Sequence, residues 1–185
     1  DHMMYKAFSL PAGATLKAMV NYQIEVDWDY AYLIASTDGG ATWDYLETDL
    51  STSDNPNGQN FGFGITGNSG GWVELNADLP EGDVLVGFQY WTDVNTGGFG
   101  FKVDNIEITG QPLDGAEEDA GWTYDPAVDG YRVTNGIEAA NFFNAYVAEF
   151  RQYRGFDKGL ANPYNFGWGG DPVFFNWVEH FPYQD

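Results

Sequence analysis

The 185-residue sequence predicts an all-β chain: a jelly-roll β-sandwich followed by a small, irregular β-rich C-terminal segment. Three observations predict it. Seven or eight short runs alternate apolar with polar residues, and turn-forming residues separate them. Glycine (24) and proline (8) are concentrated between those runs. Aromatic residues make up 18% of the chain, which suits stacked sheets with large flat side chains between them.

Taken in order, residues 5–10 are a short first strand, and Asp1-His2-Met3 before it reads as an expression scar. A Pro-Ala-Gly turn precedes residues 15–25, where Leu16, Ala18, Val20, Tyr22 and Ile24 alternate with polar residues. Residues 30–36 and 43–47 form a hairpin. Residues 51–71 are a long loop turning at Pro56-Asn57-Gly58, with Phe61, Phe63 and Ile65 either on an edge strand or packed over the core. Strands follow at 72–79, 84–92 and 99–108. The last changes phase, since Phe99, Phe101 and Val103 are odd-numbered whereas Ile106 and Ile108 are even. Either a bulge lies near Asp104-Asn105, or Asp104 shares the inward face with the isoleucines. Residues 1–110 therefore read as the sandwich, 111–121 as an acidic linker and 122–185 as the β-rich segment, with two short strands within 122–133. Residues 146–153 read as a strand, against a rival helix over 137–151. The aromatic tail is too small to bury its own side chains, so it is expected to pack on the sandwich or on another part of a longer polypeptide.

Seven basic residues against 28 acidic ones give a formal net charge of −21. Such a chain repels nucleic acid and anionic membranes, so neither is an expected partner. No run of 18 apolar residues exists, which excludes a spanning helix from the expectations. There is no cysteine, hence no disulfide and no thiol chemistry.

Two stretches carry candidate sites. Ser36-Thr37-Asp38-Gly39-Gly40-Ala41-Thr42-Trp43 fits an Asp-box hairpin tip. There Asp38 binds turn N–H groups, Gly40 supplies positive φ and Trp43 packs beneath, a structural rather than catalytic role. Glu25, Asp27 and Asp29, at two-residue spacing, point the same way in an extended chain. With Asp104 and Asn105 they offer the hard oxygen ligands that calcium takes. Asp93 and Asn95 form a weaker second group. A carboxylate pair could also serve a glycosidase, though no spacing here measures its separation. Trp28, Trp72 and Trp91 could stack on a sugar, but core or hairpin packing is the preferred reading. Glu149 and Arg151 read as an exposed pair, and His180 as a structural hydrogen-bonder.

Several motifs in order bear a family resemblance. Asp27-Trp28-Asp29-Tyr30-Ala31 with the Asp-box, Pro56-Asn57-Gly58-Gln59-Asn60, Gly64-Ile65-Thr66-Gly67, Tyr90-Trp91-Thr92-Asp93 and Val103-Asp104-Asn105-Ile106 are similar to the immune inhibitor A family of secreted bacterial zinc metallopeptidases. The stretches Tyr146-Val147-Ala148-Glu149-Phe150-Arg151, Gly155-Phe156-Asp157-Lys158-Gly159-Leu160, Pro163-Tyr164-Asn165-Phe166-Gly167 and 177–185 extend it. The resemblance implies a MAM-like jelly roll, C-terminal to a catalytic domain and followed by a β-rich segment. It implies a secreted parent whose zinc sits in the catalytic domain on an HExxH helix. No HExxH can be written from this sequence, whose histidines are His2 and His180. The expected role is a non-catalytic accessory region that binds structural calcium, contacts the catalytic domain of its parent and helps position a protein or glycan substrate. The rivals are a carbohydrate-binding jelly roll and an extracellular adhesion module.

Overall fold

The structure is a computed structural model that describes residues 1–94, 96–127 and 130–134. Its strands are β1 (His2–Leu10), β2 (Thr15–Gln23), β3 (Tyr30–Ser36), β4 (Asp44–Leu46), β5 (Val73–Asp78), β6 (Gly82–Trp91), β7 (Gly100–Ile108) and β8 (Thr123–Asp125). They form two antiparallel sheets, ordered β4-β3-β6-β1-β8 and β5-β2-β7, and no helix occurs among the described residues. The nested pairs β1·β8, β2·β7 and β3·β6 are those of a jelly roll.

Alternation explains the sandwich. Leu16, Ala18, Val20 and Tyr22 of β2 face Ala31, Leu33 and Ala35 of β3 and Val84, Val86 and Phe88 of β6 across the core. β3 is buried on both faces. Its outward side chains Tyr30, Tyr32 and Ile34 form a second apolar cluster with Met3, Trp43, Tyr45 and Trp91. The 51–71 loop lies over that cluster, held by bridges Ala31↔Ile65 and Thr52↔Gly64 and by the Phe61 N–H donating to the Tyr32 hydroxyl at 3.1 Å. The loop can approach this closely because residue 64 is glycine: a Cβ there would collide with the Tyr30 ring.

Differences from the expected elements have local causes. β1 begins at His2, paired with Tyr90, so His2 and Met3 belong to the strand rather than preceding it. β2 ends at Gln23 because the chain then turns. Of two short strands expected within 122–133, only β8 forms among the described residues, and it joins the larger sheet beside β1. The 111–121 stretch is tied down through Ile106↔Asp114, with the Trp122 indole N–H donating to Asp114 Oδ2 at 2.7 Å. It roofs a cleft of about 430 Å³ floored by Phe8, Ile106 and Ile108. The expected strand over 146–153, Glu149, Arg151 and His180 lie outside the described residues.

The phase change in β7 is a bulge. Met19 pairs with Asp104 but Lys17 with Glu107, so β7 carries one extra residue there. Asn105 takes it up at φ 48°, a left-handed conformation that asparagine tolerates better than most residues, and its N–H donates to Asp104 Oδ1 at 2.6 Å. Asn105→Gly should therefore unfold in urea at nearly the parent midpoint. Asn105→Val should lose about 1–2 kcal/mol, because a β-branched residue strains in that conformation. Equal stability of the two variants would contradict this account of the bulge.

Candidate metal centre at one end of the sandwich

β2 leaves its sheet at Gln23, and Ile24 N–H donates to Gly67 O at 2.7 Å. The chain does not stay extended. Asp29 N–H donates to Glu25 O at 3.1 Å, closing one turn with Asp27 at φ 64°. Residues four apart on such a turn lie on one side, so Glu25 and Asp29 converge and Asp27 is carried away from them. The Asp27 backbone is fixed by Thr66 and Asn57, whose side chains accept its N–H and donate to its carbonyl respectively.

The third carboxylate comes from the other sheet connection. Tyr30 at the start of β3 pairs with Trp91 at the end of β6, so Asp93 arrives beside Asp29 and donates its N–H to Asp29 Oδ1 at 2.9 Å. One carboxylate oxygen each from Glu25, Asp29 and Asp93 lies within 4.8 Å of the others. Asp29 is wholly buried, and its Oδ2 has no hydrogen-bond partner, nor has Glu25 Oε2. Burial raises the Glu25 carboxyl above its usual value, and the Asp93 and Asp29 charges add to this. Burial also raises Asp29, against the pull of the Asp93 N–H. Partial burial, then the Asp29 charge, push the hydroxyl of half-buried Tyr90 up to about 12. Three clustered carboxyls, with Glu25 and Asp29 pushed toward the neutral form, make a place where a hard cation with oxygen ligands gains most.

This set differs from the sequence expectation. Asp104 sits opposite Met19, four residues along β2 from Gln23, roughly 13 Å from the strand end. Its odd phase comes from the bulge, and neither it nor Asn105 joins the cluster. Asp27 is excluded by the turn. Asp93 entered the sequence analysis only in a second group; its partner there, Asn95, lies outside the described residues. Nothing along the chain brings Asp93 to Asp29, since 64 residues separate them and only the β3·β6 register joins them. Trp28 and Trp72 are 40% and 47% exposed rather than core residues.

Asp38 closes the 36–43 hairpin tip through its carboxylate. The Ser36 hydroxyl donates to Asp38 Oδ1 at 2.8 Å, and Thr42 donates its N–H to Oδ1 and its hydroxyl to Oδ2 at 2.9 and 2.6 Å. Gly40 sits at φ 92° and Trp43 packs edge-on against Tyr5. The Thr42 hydroxyl, then its N–H, then the Ser36 hydroxyl hold the Asp38 carboxyl down at about 2.

A two-sheet, all-antiparallel module with an acidic end and a hydrogen-bonded hairpin tip is a jelly-roll β-sandwich domain in architecture. Comparison with known proteins places it more closely. Residues 1–133 match the family model described as immune inhibitor A-like, MAM domain, and the chain belongs to that family. It is also 30% identical over 172 residues to the pre-pro-metalloprotease PrtV from two strains of Vibrio cholerae serotype O1, a match over 89% of this chain. The matched stretch is 18% of PrtV, so the chain spans under a fifth of the length of these relatives.

Two outcomes follow. A depressed carboxyl adds stability above its unfolded value that is lost as pH falls through the folded one. Asp38→Ala should therefore melt below the parent near neutral pH, with the gap closing between about pH 4 and about pH 2. Raised carboxyls act in the opposite sense, weakening the cation-free fold as pH rises through their folded values. In chelator near neutral pH, Asp29→Asn keeps the acceptor for Asp93 and removes one charge, so it should melt above the parent. A lower melting temperature would show that the three carboxylates do not repel.

Proposed function

We propose that this chain is a non-catalytic accessory module of a secreted zinc metallopeptidase and that Glu25, Asp29 and Asp93 hold a structural calcium ion. The family match supports the accessory role, and the printed name of PrtV, a pre-pro-metalloprotease, supports a secreted peptidase as parent. Zinc in this reading belongs to the parent's catalytic domain, with which the module associates. The observation that carries the calcium reading is the buried Asp29 carboxylate, one oxygen unpartnered, clustered with two further carboxylates. An all-oxygen donor set selects calcium over zinc. The ion would join the turn before β3 to the loop after β6, and so fix the end of the sandwich from which a substrate or a neighbouring domain is positioned.

Thermal unfolding after exhaustive chelation, and again with calcium restored at fixed ionic strength, tests this. With free calcium about 100 times its dissociation constant, the native state should gain roughly 2.7 kcal/mol. Asp29→Ala and Asp93→Ala should abolish the shift, and Asp104→Ala should leave it intact. A melting temperature indifferent to calcium would contradict the metal reading. The purified chain should hydrolyse no casein with or without zinc; chelator-sensitive hydrolysis that tracks the protein peak would contradict the accessory role.

A further inference from the structure

The side of the sandwich carries a built cleft. β7 is the edge of the smaller sheet, and β1 lies next to the edge of the larger one. The 111–121 stretch crosses between them and closes a space of about 430 Å³, within the range that holds a small organic ligand. Its floor is apolar: Phe8 of β1, Ile106 and Ile108 of β7, and Trp122. Leu113, 62% exposed, adds apolar surface at the lip. The closing stretch is held in shape by its own acids. Asp114 exchanges backbone hydrogen bonds with Ile106, and its carboxylate accepts the Ala116 N–H at 3.0 Å besides the Trp122 indole. Asp119 accepts the N–H groups of Gly121 and Trp122 at 2.9 and 3.3 Å. Phe8 pairs with Val84 and Ile108 with Leu16, roughly 20 Å along the strands from the end that carries Glu25, Asp29 and Asp93.

The charge around the cleft is one-sided. Asp114, Glu117, Glu118 and Asp119 line it, against a single base, Lys6. That amine is already engaged: it donates to the Ala120 carbonyl and lies 5.8 Å from the Phe8 ring centroid. Asp114 and Asp119 are occupied in holding the stretch. Glu117 and Glu118 are exposed, and nothing among the described residues hydrogen-bonds them. Two free carboxylates over an apolar floor complement a cation on an apolar stem. We infer that the cleft binds a basic residue of a peptide, arginine or lysine, together with an apolar neighbour. A metal ion does not fit, because among the described residues only Glu25, Asp29 and Asp93 converge closely enough to hold one. A stacked sugar does not fit either, because Trp122 is buried and meets Phe8 edge-on at 6.2 Å, which leaves no open aromatic face. The peptide, rather than a free amine, follows from the floor, whose apolar surface exceeds what the stem of one amine covers. The inference rests on the accessory-module reading for the origin of the peptide, a polypeptide substrate, and adds a contact for it on the side of the sandwich.

Fluorescence anisotropy on the 185-residue chain at physiological ionic strength tests the inference. The probe is a labelled short peptide that alternates leucine with arginine. Its neutral analogue, with citrulline for arginine, should bind about tenfold more weakly. Glu117→Gln with Glu118→Gln should weaken the arginine peptide roughly fivefold at an unchanged melting temperature. Leu113→Ser should weaken both peptides. Glu47→Gln with Glu81→Gln, which removes the same charge from exposed positions elsewhere, should change neither. An equal loss in the two double variants reduces the binding to bulk attraction and overturns the site. Equal affinity for the citrulline peptide overturns the recognition of charge, and spermidine that binds as tightly as the peptide overturns the peptide as occupant. No binding at all overturns the inference, whether the cleft lacks affinity or is filled by the chain's own residues. The accessory role is judged separately by casein hydrolysis: a chain that binds no peptide and hydrolyses no casein refutes the cleft and leaves that role standing.

Discussion

Asp29 is a carboxylate taken wholly out of water at the point where the two sheet connections meet, and the end of the sandwich is arranged around it. A buried charge is tolerated only with partners. One oxygen of Asp29 takes the Asp93 N–H, which locks the loop after β6 onto the turn before β3. The other has no hydrogen bond and faces two further carboxyls. The β3·β6 register makes this meeting obligatory, because pairing Tyr30 with Trp91 leaves the next residues nowhere else to go.

Much of the fold was legible because half-buried strands announce themselves. β2 alternates buried and exposed residues along most of its length, and a period of two is unmistakable there. β3 is legible through its flanks, the acidic run before it and the Asp-box after it, although its own residues are buried on both faces. The burial of Tyr30 and Tyr32 depends on a loop some 30 residues away with glycine at the contact, which a local pattern does not encode. The bulge in β7 was legible as a phase change, since an inserted residue must move the apolar set from odd to even positions.

The site was legible in part, and for a reason that the structure revises. Glu25 and Asp29 stood out by spacing read as an extended strand, yet they meet because the chain turns, and the turn removes Asp27 from the set. The odd phase of Asp104 is explained by backbone geometry without any ligand. Asp93 was the residue that spacing could not supply. Its place beside Asp29 is a property of topology, and a jelly-roll pairing of the third and sixth strands, applied to the sequence, would have found it.

The most direct measurement is a crystal structure of the chain grown in calcium, with anomalous difference maps collected where calcium scatters anomalously. The account predicts one peak bounded by the carboxylates of Glu25, Asp29 and Asp93, and its loss from crystals of Asp29→Asn. A map with no peak among those three carboxylates, or with the ion held at Asp104 and Asn105 instead, would contradict it.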